Sequence, residues 1–352
     1  MIKILIVEDS PVMQQLLIFT ISSDPDFKIV GVARNGVEAI EAVTKLKPDV
    51  IAMDFQMPKL NGIEATKTIM ATNPTPIVIV TGSLTTKDQV LSFNLMEAGA
   101  LAIIKKPPSV AHPEYKNEAK KLIKTLKLMS EIKLVKRYSK STREQKDAIP
   151  LIEKSIDEDT KIQLVVMGAS TGGPIVLQQI LLGLPKDFPV PILIVQHISP
   201  GFTKGYVEWL KNTTHFPFHI ASQGEYLLPG HVYVAPDDFH MGVEKGLRIA
   251  LSQNNAENGL RPSVSYLFRT AAQNFGARAV GILLSGMGRD GGEELKLLKD
   301  KGAVTFAQNK ESSVVHGMPG EAIKLGAVSH IMSPEEITVA LSSLIKKMNF
   351  KK

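Results

Sequence analysis

Short apolar runs recur along the chain, separated by stretches in which apolar residues return every three or four positions. In the first hundred residues the runs are Ile2 to Val7, Phe27 to Ala33, Val50 to Met53, Ile77 to Val80 and Ala102 to Ile104. Each run has the length of a strand, and the intervening stretches have the period of an amphipathic helix. One more helix is expected from Pro113 to about Arg137, with Ala119, Leu122, Ile123, Leu126 and Met129 on a single face. Five strand-helix units predict a parallel sheet covered by helices on both sides.

Apolar runs return at Gln163 to Met167, Pro191 to Val195, Val232 to Val234, Ala279 to Leu284 and Ala303 to Phe306. Runs that are apolar at nearly every position suit strands buried on both faces, as in parallel sheets. A second α/β domain is expected there. The length agrees, since 352 residues correspond to about two domains.

Composition narrows the class. Cysteine is absent, which excludes disulfides, thiolate metal sites and cysteine nucleophiles. The first apolar run reaches Glu8-Asp9 too soon for a signal-peptide core, and no run approaches the ~18 apolar residues of a membrane span. A soluble cytoplasmic protein without membrane insertion is expected. The formal net charge of +6 would suit a nucleic-acid partner, but it is not spread along the chain. Residues 1 to 104 carry net −3, residues 105 to 146 net +9, and residues 147 to 352 net 0. The excess sits in a polar stretch that reads as a linker, so no nucleic-acid partner is expected.

Ligands of open parallel sheets gather at the carboxyl ends of the strands. In the first domain those ends carry Glu8 and Asp9, Asp54, Thr81 and Lys106. Three carboxylates, a hydroxyl and an ammonium therefore converge on one edge. Few, hard oxygen ligands suit Mg²⁺. Asp54 precedes Met57-Pro58 and Asn61-Gly62, a turn signal that leaves its carboxylate at a strand tip. A carboxylate so placed can attack a phosphoryl group, with cations neutralising the transferred oxygens.

The segments VEDS (7 to 10), MDFQMPKLNG (53 to 62), VTGS (80 to 83) and KKP (105 to 107) resemble those of a two-component receiver domain. The resemblance implies a flavodoxin-like (βα)5 fold, Asp54 as phosphoacceptor, Glu8, Asp9 and Asp54 as Mg²⁺ ligands, and Thr81 and Lys106 as readers of the phosphoryl group. Ile103 departs from the pattern, standing where many receivers carry an aromatic switch residue.

In the second domain the strand Gln163 to Met167 feeds into Gly168-Ala169-Ser170-Thr171-Gly172-Gly173-Pro174. G-x-S-x-G at a strand-turn-helix junction holds a serine exposed at a sheet edge, and the Thr171 amide is a natural oxyanion donor. Glycine-rich turns also cradle nucleotides, but no P-loop lysine follows here. A nucleophile needs a base and an orienting acid. His197 and Asp290 each follow an apolar strand, at the same expected sheet edge as Ser170. In that arrangement Ser170 attacks an acyl carbonyl, His197 takes its proton and Asp290 orients the imidazole.

GASTGGP (168 to 174), PILIVQHISPGFT (191 to 203), LLPGHVYVAPDDFHM (227 to 241), RPSV (261 to 264), LLSGMGRDGG (283 to 292) and AQNKESSVVHGMP (307 to 319) together resemble the catalytic domain of the chemotaxis protein-glutamate methylesterases. The resemblance implies a doubly wound, mostly parallel domain with Ser170, His197 and Asp290 as its triad. It implies that Thr171 and Met287 line the site with amides facing the oxyanion. No cofactor is implied for the hydrolase site. The substrates implied are glutamate γ-methyl esters on chemoreceptor cytoplasmic domains, with deamidation of particular receptor glutamines by the same acyl-enzyme chemistry. A histidine kinase of the chemotaxis pathway is the implied phosphodonor.

Taken together, the resemblances divide the chain into a receiver at 1–122, a basic helical and flexible linker at 123–160, and a methylesterase domain at 161–350. Phosphorylation of Asp54 is expected to raise hydrolysis by releasing the second domain from the first. The rival readings are a receiver fused to a catalytically idle hydrolase-like module, acting as a binder or phosphate sink, and a receiver with a DNA-binding output.

Overall fold

In the computed structural model, residues 1–82, 85–132 and 161–349 are described. The chain divides into two compact units, one on either side of the stretch 133–160.

The first unit alternates strand and helix throughout: β1 (Ile2–Val7), α1 (Pro11–Ser22), β2 (Phe27–Ala33), α2 (Gly36–Leu46), β3 (Val50–Met53), α3 (Gly62–Thr72), β4 (Ile77–Thr81), α4 (Thr86–Glu97), β5 (Ala102–Lys105) and α5 (Tyr115–Ser130). The strands pair in parallel in the order β2-β1-β3-β4-β5. That order reverses beside β1, which opens a crevice at the strand ends. Polar caps set the helix starts: the Asn35 side chain accepts from the amides of Val37 and Glu38, and Asn61 accepts from Glu64.

The expected domain boundary at residue 122 falls inside α5 and is corrected by the packing. Leu122, Leu126 and Met129 are all buried, so the helix contributes to the first core along its whole length. Its far end is tied down as well. Lys127 pairs with Asp24 at 2.8 Å and Asp26 at 2.6 Å, in the turn after α1. The first unit therefore runs at least to Ser130, and of the linker expected at 123–160 the residues 133–160 lie outside the described residues.

The second unit comprises β6 (Leu164–Ala169), α6 (Gly173–Gly183), β7 (Ile192–Gln196), α7 (Thr203–Thr213), β8 (Phe218–Ile220), β9 (Val232–Val234), β10 (His240–Glu244), β11 (Arg248–Ser252), α8 (Val264–Asn274), β12 (Ala279–Leu283), α9 (Gly292–Asp300), β13 (Val304–Gln308), α10 (Met318–Lys324), β14 (His330–Met332) and α11 (Pro334–Asn349). A parallel sheet has the order β14-β13-β12-β6-β7-β9-β8, and β10 and β11 form a separate antiparallel hairpin. Every residue of β6, β7, β9, β12 and β13 is buried, which accounts for their unbroken apolar character.

One face of this sheet packs on α8, α9, α10 and the hairpin through Leu164, Val166, Leu193, Phe268, Leu298 and their neighbours. On the other, α6 packs against both α7 and α11. The approach of α8 is close enough to require glycine in the strand. A Cβ on Gly168 would lie 2.3 Å from Val264 Cγ1. The chain leaves β6 in one direction toward β7 and later returns to its other side through β12, so the switch point lies at β6.

Candidate phosphoacceptor and hydrolase sites

At the first switch point the five expected residues do converge. Asp54 directly follows β3 and is nearly buried, with its Oδ1 accepting from the amide of Phe55 at 2.7 Å. Lys106 Nζ lies 2.5 Å from Asp54 Oδ2 and 2.7 Å from Glu8 Oε2. Thr81 closes β4, and its carbonyl accepts from the Lys106 amide at 2.9 Å. Gly62 allows α3 to start against this corner, since a Cβ there would meet Phe55 Cα at 2.7 Å.

Burial pushes the Glu8 carboxyl above the usual range; Lys106 opposes that shift and the Asp54 charge adds to it. For Lys106, burial favours the neutral amine, but the Asp54 and Glu8 carboxylates outweigh it and hold the ammonium charged. Oxygen atoms of Glu8, Asp9 and Asp54 lie within 4.8 Å of one another, with Asp9 exposed and the other two buried. Three hard donors with one open side fit a Mg²⁺ ion that keeps several waters. This is the only such cluster of three or more potential ligands among the described residues.

In the second unit, β12, β6 and β7 are adjacent, so their C-terminal loops bring Asp290, Ser170 and His197 to one edge. Gly172 takes a left-handed conformation (φ 78°) that turns the chain from Ser170 into α6. His197 Nε2 lies 2.9 Å from Asp290 Oδ2. No hydrogen bond joins the Ser170 hydroxyl to His197 among the described residues.

Asp290 is held by more than its histidine. Oδ2 also accepts from the Val264 amide at 2.7 Å, while Oδ1 accepts from Ser263 Oγ at 2.7 Å, the Ser265 amide at 3.2 Å and Asn258 Nδ2 at 3.3 Å. Ser263 stands at the N-cap position of α8 without a side-chain capping bond, and the Asp290 carboxylate meets that helix's N-terminus in its place. Burial pushes its pKa up, but the His197 contact, the Ser263 hydroxyl and the Val264 amide hold it well below the usual carboxylate range. Asp290 is thus fixed as an acceptor.

Thr171 and Met287 flank Ser170 on the loops after β6 and β12. Neither backbone amide donates to an acceptor among the described residues, as an oxyanion site requires. The loops themselves are cross-linked. Ser170 N donates to Ser285 O at 2.9 Å, and Ser285 Oγ donates to Thr171 O at 2.7 Å.

Comparisons with known proteins match both units of the chain. The family model "CheB methylesterase" matches residues 165–341, and the model "Response regulator receiver domain" matches residues 4–112. The chain belongs to the CheB methylesterase family. A relative in Nitrosospira multiformis, named protein-glutamate methylesterase/protein-glutamine glutaminase, is 51% identical over 98% of this chain and 97% of its own. One in Geobacter metallireducens with the same activities in its name is 49% identical over 98% and 99%. Among solved structures, the catalytic domain of the Thermotoga maritima CheB methylesterase matches with TM-score 0.51 and 36% identity, covering 52% of this chain and 99% of that domain.

Within this family fold, the sequence reading missed the residues that support the charged and nucleophilic ones. Ser263, Gln196, Ser285 and Gln308 lie inside the segments that carry the resemblance and Asn258 outside them, but all five are neutral and their supporting parts show only through their contacts. Ser265 supports the same loop: its Oγ accepts from the Gly291 amide at 3.0 Å.

Proposed function

We propose that this chain hydrolyses glutamate γ-methyl esters on chemoreceptor cytoplasmic domains, releasing methanol, and deamidates particular receptor glutamines, under control of phosphorylation at Asp54. The observation that carries the hydrolase reading is the 2.9 Å contact between His197 Nε2 and Asp290 Oδ2, one strand away from Ser170. An ionised carboxylate only accepts, so Nε2 carries the proton and Nδ1 is left as the base.

Ser170 Oγ attacks the γ-carbonyl carbon while His197 takes its proton. The carbonyl oxygen becomes an oxyanion facing the amides of Thr171 and Met287. Collapse breaks the bond to the methoxy group, and His197 returns the proton so that methanol leaves. With a glutamine substrate the leaving group is ammonia. Water, deprotonated by His197, then attacks the acyl-enzyme; release of Ser170 leaves a glutamate side chain in both cases. Asp290 remains ionised throughout.

In the receiver, an Asp54 carboxylate oxygen attacks the phosphoryl group of a histidine kinase, and the nitrogen–phosphorus bond breaks. Glu8, Asp9 and Asp54 would hold Mg²⁺, which when bound neutralises phosphoryl oxygens. Lys106 supplies a second positive charge and Thr81 a hydroxyl for the attached group. The site of action proposed is the cytoplasm; among the described residues no helix is long and apolar enough to cross a membrane.

Methanol release from methylated receptor tests the reading, with an organophosphonate probe to mark the nucleophile. Ser170→Ala is expected to abolish both while Asp54 still accepts phosphate. Methanol release that persists in Ser170→Ala would remove Ser170 from its role. A wild-type chain that phosphorylates but never releases methanol would instead favour the idle-module reading.

A further inference from the structure

Three neutral polar side chains lie buried along the strand ends that carry the hydrolase site: Gln196 at the end of β7, Ser285 after β12 and Gln308 at the end of β13. Gln196 is only 4% exposed. Its Nε2 donates to the carbonyl of Ser170 at 2.8 Å and to the carbonyl of His197 at 2.9 Å. One amide group therefore spans the loop of the nucleophile and the loop of the base.

Across the nucleophile turn, Ser285 does the matching task. It binds the Ser170 amide and the Thr171 carbonyl, and its Oγ accepts from the Val315 amide at 3.0 Å. Gln308 holds Ser285 in turn, its Oε1 accepting from the Ser285 amide at 2.8 Å and its Nε2 donating to Ser312 O at 2.9 Å. The four adjacent strand ends β7, β6, β12 and β13 are thus bridged by one buried polar belt.

Packing alone does not call for a glutamine at 196. Its Oε1 is buried without a hydrogen-bond partner and presses on Gly173, where a Cβ would come within 2.4 Å of it. An unsatisfied buried acceptor is costly, and leucine would fill a similar volume without one. What only the amide provides is two donors on one rigid group, aimed at the two reacting loops.

We propose that Gln196 is a positioning residue for the hydrolysis, setting the separation of Ser170 and His197 through their backbone carbonyls, with Ser285 and Gln308 fixing the other flank of the nucleophile. The proposal rests on the roles given above to Ser170 and His197. It adds no contact to substrate. Its effect is on how often the nucleophile and base are in register, which enters kcat rather than KM.

Two variants of the full-length protein test it. Gln196→Leu removes both donors at similar volume, and is expected to lower kcat for a small ester by about 10²-fold with KM little changed. Organophosphonate labelling of Ser170 should slow in parallel. Gln196→Glu is nearly isosteric but titrates. When protonated it keeps one donor; when ionised it has none and faces two carbonyl oxygens. The ratio of its kcat to that of the wild type is therefore expected to rise as pH falls, whereas a filler role gives a flat ratio. A folded Gln196→Leu protein within twofold of wild-type kcat, or a flat Gln196→Glu ratio, overturns the proposal. If the glutamate variant does not fold, the leucine variant decides. Failure of the Ser170 assignment is read separately, from a wild-type chain that does not label there; a null result for Gln196 in a chain that does label counts against Gln196 alone.

Discussion

Asp290 meets His197 through Oδ2 at 2.9 Å while four further donors, from Asn258, Ser263, Val264 and Ser265, converge on the same carboxylate. An oxygen pair so fully engaged has one task toward the imidazole, which is to fix Nε2 as the protonated nitrogen. Asparagine at 290 turns one oxygen into a donor. It then faces either Nε2–H or the α8 amides with the wrong polarity.

Asp290→Asn is accordingly expected to lower kcat by about 10⁴-fold, the scale seen when the equivalent change leaves a triad histidine in the wrong tautomer. Steady-state methanol release checks this. Phosphorylation of Asp54 in the same variant should be unaffected, because the two sites lie in separate compact units.

The same contacts make stability depend on acid. Burial raises the Asp290 pKa, but the His197, Ser263 and Val264 interactions leave it depressed overall. A group with a depressed folded pKa contributes stability that is fully present above its unfolded value, near 4, and is lost as pH falls toward the folded value. The resistance of residues 161–349 to urea within the whole chain should therefore fall between about pH 5 and pH 3. The stability gap between wild type and Asp290→Asn should narrow over that range; a gap independent of pH would mean that Asp290 contributes no such linkage.

Much of this architecture is legible in the amino-acid sequence. β1, β2, β3 and β9 have the bounds their apolar runs give: β3 and β9 are buried throughout, and the exposed Lys3 in β1 and Lys28 in β2 interrupt their runs too briefly to hide them. β8 and β14 did not show, each being three residues long and only partly buried. The β10–β11 hairpin hides for another reason: its turn at Gly246-Leu247 places a leucine at φ 57°, so the usual turn residues do not flag it. Charged and nucleophilic site residues stood out because each follows an apolar run closely or, for Asp290, after a short glycine-rich loop. Gln196 and Gln308 end their strands just as abruptly, yet an amide at a strand end is too common to mark a role.

Metal dependence should separate the two chemistries. Glu8, Asp9 and Asp54 form the only cluster of three potential ligands among the described residues, and it lies in the first unit. A chelator is expected to stop phosphorylation by a small-molecule phosphodonor while leaving basal ester hydrolysis unchanged. Asp54→Asn should show the same basal hydrolysis with no response to phosphodonor. Loss of basal hydrolysis on chelation would place a required metal in the second unit.

Gly168 links stability to catalysis through sterics. A Cβ on this strand residue would lie 2.3 Å and 2.8 Å from the two Val264 methyl carbons and 3.1 Å from Leu283 Cδ1. Overpacking of this kind costs about 1–3 kcal/mol. The strain falls on the first turn of α8, where the Val264 amide holds Asp290 Oδ2 at 2.7 Å. Gly281 in β12 makes the control, since a Cβ there would press on Leu298 and Leu295 of α9 at 2.5 Å and 2.8 Å, away from the Asp290 contacts. Both Gly168→Ala and Gly281→Ala should lower the melting temperature of the second unit. Only Gly168→Ala should also reduce kcat below the unfolding transition, because only there must the helix that orients the triad acid give way. Equal kcat losses in the two variants would show that the effect comes from general loosening of the sheet.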